Sequence, residues 1–131
     1  LYLSATNLRD LNAQLNLSNF KFLKYLDLSI NNLQVLKYNS FEHNFFLVNL
    51  NFSFNRIYLI EKNTFEYSGT SLEIIDFSFN RLIDFDHSIF GKNNLIALRL
   101  FKLESNSLNY FKVTIKSNIL NNLNLANNSL E

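Results

Sequence analysis

The segment YLDLSINNLQVL at Tyr25–Leu36 sets the spacing on which the rest of the chain is built. With Leu23 in front of it, Leu26, Leu28, Asn31, Leu33 and Leu36 spell L-x-x-L-x-L-x-x-N-x-L-x-x-L. Leu26 and Leu28 stand two apart, so both point to one face of a short strand. The spacing then widens: the strand must end and the chain must turn while still sending Leu33 and Leu36 inward. Asn31 lies at that turn, where an amide can donate and accept and so satisfy backbone groups the turn leaves unpaired. A single unit of this kind cannot enclose a core and needs neighbours of the same shape.

The neighbours follow in register. Leu47, Leu50, Phe52, Asn55, Ile57 and Ile60 repeat the template, as do Leu72, Ile75, Phe77, Asn80, Leu82 and Phe85. A further copy runs through Leu98, Phe101, Leu103, Asn106, Leu108 and Phe111, and a last one through Leu120, Leu123, Leu125, Asn128 and Leu130. Ahead of them Leu1, Leu3, Leu8 and Leu11 form a copy with Thr6 in the asparagine place. The leading leucines Leu23, Leu47, Leu72, Leu98 and Leu120 are 24, 25, 26 and 22 residues apart. Periods of this size point to a solenoid whose units contact mainly their neighbours.

The expected organisation is one solenoid over 1–131, with units at 23–46, 47–71, 72–97 and 98–119 and partial units at 1–22 and 120–131. The chain begins with Leu, and both ends fall inside a unit, so it reads as a piece of a longer protein. The fold class expected is an α/β solenoid with one short strand per unit, near 25–29, 49–53, 74–78, 100–104 and 122–126, pairing as a parallel sheet. The return arms should be irregular, with a helical turn or two at most. Phe41, Phe65 and Phe90 each lie five residues past the template, which predicts a stacked aromatic spine in those arms. Lys116 takes that place in the next unit, with Ile115 beside it, so the spine weakens there. Leu17 and Phe20 would close the first unit. Leu95, Leu98 and Leu100 offer a second register for the unit at 98–119, but only Phe101, Leu103 and Asn106 complete the template through Phe111.

Composition narrows the functional classes. The net charge of +1 gives no broad electrostatic case for nucleic acid or an anionic membrane. There is no cysteine, so the disulfide argument for compartment has nothing to act on. No apolar run approaches the ~18 residues of a membrane span. No phosphate loop, nucleophile elbow or paired acid/base motif is present, so no enzyme activity and no cofactor is expected. Asp84, Asp86 and His87 sit close in sequence, but on a return loop with no further ligand spaced to join them, so a solvated turn is expected rather than a metal site.

The full pattern, ending in the Phe of NLQVLKYNSF, RIYLIEKNTF and RLIDFDHSIF, resembles the typical extracellular leucine-rich repeat of animals. The cores LDLSINNL, LNFSFNRI and IDFSFNRL carry the same likeness, and Toll-like receptor ectodomains and related recognition proteins are similar to it throughout. The resemblance implies a curved horseshoe with the parallel sheet on its concave side. It also implies recognition of a protein or other macromolecule, outside the cell or at its surface. A structural adhesion or matrix protein without signalling is the alternative, since such proteins share the unit, and an intracellular repeat protein is a third. Fold alone does not decide among them.

The residues between the inward ones should face the groove. The candidate ligand-binding set is Tyr25, Asp27, Asn49, Asn51, Ile74, Asp76 and Lys102, against the alternative of a merely solvated sheet. Asp27 and Asp76 share a lane two units apart and could address one basic partner together. Ser29, Ser53 and Ser78 form the next lane, read as a feature of the repeat. Asn31, Asn55, Asn80, Asn106 and Asn128 should form a structural ladder. Ile30, Phe54 and Phe79 form an apolar stripe at the rim, either a partner patch or rings half buried on one another. Sequons at Asn16, Asn51 and Asn127 are candidate glycosylation sites. With 23 Asn and 17 Ser plus Thr, chance alone yields roughly three, so they carry no weight for secretion.

Overall fold

The computed structural model describes residues 1–131 and is a parallel-strand solenoid of stacked coils. Its principal sheet has five three-residue strands: β1 (Tyr25–Asp27), β3 (Asn49–Asn51), β5 (Ile74–Asp76), β7 (Leu100–Lys102) and β9 (Asn122–Asn124). They lie side by side in chain order. Tyr2 bridges to Asp27 in the same parallel sense, so the first coil joins the sheet edge. The register is one unit per strand: Leu26 faces Leu50, Leu50 faces Ile75, Ile75 faces Phe101 and Phe101 faces Leu123. The coil at 98–119 thus takes the register that places Asn106 at its turn. Backbone pairing runs on past each strand, for example from Phe52 N–H to Asp76 C=O at 2.8 Å and from Phe54 N–H to Ser78 C=O at 3.0 Å.

The core follows from the template. A cluster of 25 buried apolar residues runs through the stack and includes Leu28, Leu33, Phe52, Ile57, Phe77, Leu82, Leu103 and Leu108. Full burial of each such side chain is worth about 1.5–3 kcal/mol, and only the neighbouring coils supply the cover. At the last coil the equivalent residues Leu123 and Leu130 are 39% and 38% exposed, because one side of that coil has no neighbour. Phe41, Phe65 and Phe90 are buried and form the spine, with ring centroids 5.0 Å and 5.9 Å apart. Beyond Phe90 the partly buried Ile115 packs on the core while Lys116 is exposed. Leu17 closes the first coil; Phe20 stays exposed.

The return side is more ordered than the sequence suggests. Two further parallel pairs form there: β2 (Val35–Leu36) with β4 (Leu59–Ile60), and β6 (Asp84–Asp86) with β8 (Tyr110–Lys112). In each pair the last template residue, Leu36 or Phe85, is buried and holds its neighbour's backbone at strand separation. Helix is limited to α1 (Leu11–Gln14) and to 3-10 turns at Leu17–Asn19 and His87–Phe90. Asp10, Asn16 and Asp86 cap these, each side chain accepting a backbone N–H within the first turn.

Every turn after a principal strand is tightened by one residue in the left-handed region. Ala5, Ile30, Phe54, Phe79, Ser105 and Asn127 have φ between 54° and 57°. None is glycine, only Asn127 is a residue type that visits this region readily, and Ile30 is β-branched, so the other five turns hold backbone strain that the surrounding bonds must offset.

Candidate binding face

The asparagine after each left-handed residue supplies those bonds. Asn55 donates from Nδ2 to Leu28 C=O (2.9 Å) in the coil before it and to Phe52 C=O (3.0 Å) in its own turn. Its Oδ1 accepts Leu33 N–H at 3.0 Å. Asn80 repeats this with Phe52, Phe77 and Ile57, Asn106 with Phe77, Leu103 and Leu82, and Asn128 with Leu103, Leu125 and Leu108. Asn31 does so with Leu3, Leu28 and Leu8, and the Thr6 hydroxyl keeps the bond within its own turn, to Leu3 C=O at 2.8 Å. This ladder fixes the depth of each turn, and with it the direction of the strand residues on the opposite face.

Because Leu26, Leu50, Ile75 and Phe101 are buried at the centre of each strand, the residues on either side point away from the core. Tyr25, Asn49, Ile74, Leu100 and Asn122 line up in one lane. Tyr2, Asp27, Asn51, Asp76, Lys102 and Asn124 line up in the other. From Tyr2 to Lys102 the two lanes border a shallow depression of about 200 Å³. Tyr25, Ile74 and Leu100 give it an apolar strip; Asp27, Asn51, Asp76 and Lys102 give it a polar one. All seven candidate residues named from the sequence border it. Asn49 Oδ1 is buried there without a hydrogen-bond partner.

The polar lane is not free surface. Asp27 Oδ1 accepts Ser29 N–H (2.9 Å) and the Ser29 hydroxyl (2.7 Å). Asn51 does the same for Ser53 at 3.0 and 2.7 Å, Asp76 accepts Ser78 N–H at 2.9 Å, and Asn124 accepts Ala126 N–H at 3.0 Å. These side chains brace the entry to the strained turn two residues on, as Asx turns do. Asp76 also meets Lys102, Oδ2 to Nζ at 3.6 Å. Both carboxylates thus hold their own turns and Asp76 also has a cation beside it, which leaves less of either free for a basic partner shared between them. Ser29, Ser53 and Ser78 are buried beneath these braces, in keeping with a lane that belongs to the repeat itself. The sequence held the signal, an Asp or Asn two residues before a Ser in three successive units.

The remaining polar residues have local employment. Asp86 caps the His87–Phe90 turn, and its hydrogen bonds with Ser88 hold its carboxyl below the ordinary value. His87 Nδ1 accepts Thr114 N–H at 3.3 Å. The sequon residues Asn16 and Asn127 are exposed on the arms and turn, whereas Asn51 lies on the strand face itself, between Asp27 and Asp76. Ile30, Phe54 and Phe79 project at the turns, Phe54 and Phe79 stacked with centroids 4.3 Å apart and planes 7° apart. No protein-family model, curated protein or solved structure matches the chain.

Proposed function

We propose that the chain is a recognition segment of leucine-rich-repeat type, with its principal sheet on the concave side of a horseshoe, and that it binds an extended protein segment without chemical turnover. The single observation that carries this reading is the contrast between constant inward lanes and varied outward ones. Inward positions are Leu, Ile or Phe from coil to coil, while the outward lane beside them reads Tyr25, Asn49, Ile74, Leu100 and Asn122. An apolar strip of Tyr25, Ile74 and Leu100 beside amides and carboxylates is the mixed character of a protein-binding surface, with Tyr25 as its aromatic anchor. In this reading the segment belongs to a receptor ectodomain or a secreted recognition protein of the Toll-like kind.

The test is selection of random displayed peptides on the full chain, followed by affinity measurement on Tyr25→Ala and Ile74→Asp. Peptides that lose on the order of tenfold affinity in both variants, and keep it in Lys62→Glu on the return arm, support the reading. Peptides indifferent to both sheet substitutions would remove the sheet face as the binding surface.

A further inference from the structure

The turn flank carries a second surface that the groove does not use. The flank is aligned from coil to coil by backbone bonds, Arg56 N–H to Leu33 C=O (3.0 Å), Tyr58 N–H to Gln34 C=O (3.0 Å) and Arg81 N–H to Ile57 C=O (2.9 Å). Three lanes result. The first holds Ile30, Phe54 and Phe79, which are 58%, 52% and 41% exposed. The second holds Arg56 and Arg81, each one asparagine further on and each exposed. The third begins with exposed Arg9, which with Arg56, Asn32 and Gln34 borders a polar depression.

None of the chain's three ion pairs uses Arg9, Arg56 or Arg81. From the first coil to the fifth no carboxylate occurs in these three lanes; Glu131 stands in the third lane only at the last coil, two coils beyond Arg81. In the lane beyond, Asp10 is committed to Lys37 and to the cap of α1, and Asp84 joins no ion pair. The chain as a whole is near neutral, yet here the unpaired Arg56 and Arg81 each stand two residues from a ring of a stacked aromatic pair, and unpaired Arg9 continues the same flank. The backbone adds an independent observation. At φ of 54–57° glycine or asparagine would sit without strain, and the last coil does carry asparagine there, Asn127. Ile30, Phe54 and Phe79 are large apolar residues at positions whose geometry disfavours them and whose side chains are half in water.

We infer that this flank is a docking surface for an acidic protein segment bearing aromatic or aliphatic side chains. Its apolar groups would lie on Phe54 and Phe79, and its carboxylates would pair with Arg56, Arg81 and Arg9, for which the guanidinium fork is well shaped. A protein segment fits better than single-stranded nucleic acid. The Phe54 and Phe79 rings already cover each other, leaving no slot for successive bases, and the chain lacks the basic excess such binding draws on. This surface is separate from the groove of the proposed function and stands or falls without it.

The probe is a fluorescein-labelled short peptide alternating Glu with Trp, measured by anisotropy on the full chain over a salt series. A lysine-for-glutamate version and a labelled single-stranded oligonucleotide run beside it. The acidic peptide should bind, weaken with salt, and lose about tenfold affinity or more in Arg56→Glu/Arg81→Glu. It should lose a similar factor in Phe54→Asn/Phe79→Asn, a variant suited to the left-handed backbone whose melting temperature should not fall. Tyr25→Ala and Ile74→Asp should leave the affinity unchanged, which separates this result from any failure of the groove. Absence of binding, equal binding of the lysine peptide, preferential binding of the oligonucleotide, or indifference to the arginine reversals would overturn the inference.

Discussion

Asn55 Oδ1 accepts Leu33 N–H at 3.0 Å across 22 residues of chain, while its Nδ2 reaches back to Leu28 C=O. One side chain thus satisfies a donor and an acceptor in the preceding coil. Asn55→Ala leaves Leu28 C=O, Phe52 C=O and Leu33 N–H without these partners in a buried turn. The expected loss is about 1–3 kcal/mol in urea unfolding. Asn128→Ala, in the partly exposed last coil, should cost less because water can replace the amide. Equal midpoints for Asn55→Ala and the wild type would count against the ladder as a source of stability.

Ile30 combines a β-branched side chain with φ of 54° and is exposed. The left-handed region costs an L-residue about 1–2 kcal/mol, and asparagine is among the residues that visit it routinely. Ile30→Asn should therefore raise stability by about 1 kcal/mol. Phe54→Asn should gain less, since it gives up the stacking with Phe79. Thermal melting of the two variants decides. A clear fall for Ile30→Asn would mean that its apolar contacts outweigh the strain.

Asp10 gives the chain a pH dependence of known sign. The Ala13 N–H, then the Lys37 ammonium at 3.0 Å, hold its carboxyl below the ordinary value of 3.8. A lowered folded-state value means stabilisation that is complete above the ordinary value and lost as pH falls through the lowered one. Asp10→Ala should cost about 0.5–2 kcal/mol at neutral pH as a lost cap, the ion pair adding little at an exposed site. The difference should shrink in strong acid, where the charge is lost and only a neutral oxygen is left to accept the Ala13 N–H. A difference independent of pH would show that the carboxylate charge has no part in it.

Much of the architecture was legible because spacing alone carries it. Leu26 and Leu28 two apart, then Asn31, then Leu33, can be satisfied only by a strand, a turn and a stacked neighbour. The aromatic spine was legible at Phe41, Phe65 and Phe90 for the same reason. What escaped were features set by backbone geometry rather than by apolar period. Val35–Leu36 and Leu59–Ile60 pair only because the buried Leu36 brings the arms together. The left-handed turns at Ile30, Phe54 and Phe79 carry residue types that argue against them. On the candidate face, which residues point outward was readable from the strand period. That Asp27, Asn51 and Asp76 spend an oxygen on their own turns was not, because Asp-x-Ser and Asn-x-Ser also read as plain polar surface.

The account rests on units stacked one strand apart with the Tyr25–Asn49–Ile74–Leu100 lane facing outward. The chain has no native cysteine, so introduced pairs report without background. Neighbouring strands lie about 4.7–4.9 Å apart, within disulfide reach, whereas next-nearest strands lie about 10 Å apart, beyond it. Under mild oxidation Asn49→Cys/Ile74→Cys should close an intramolecular disulfide in the folded chain, and Asn49→Cys/Leu100→Cys should stay reduced. Closure of the second pair in preference to the first would contradict the one-unit register and everything built on it.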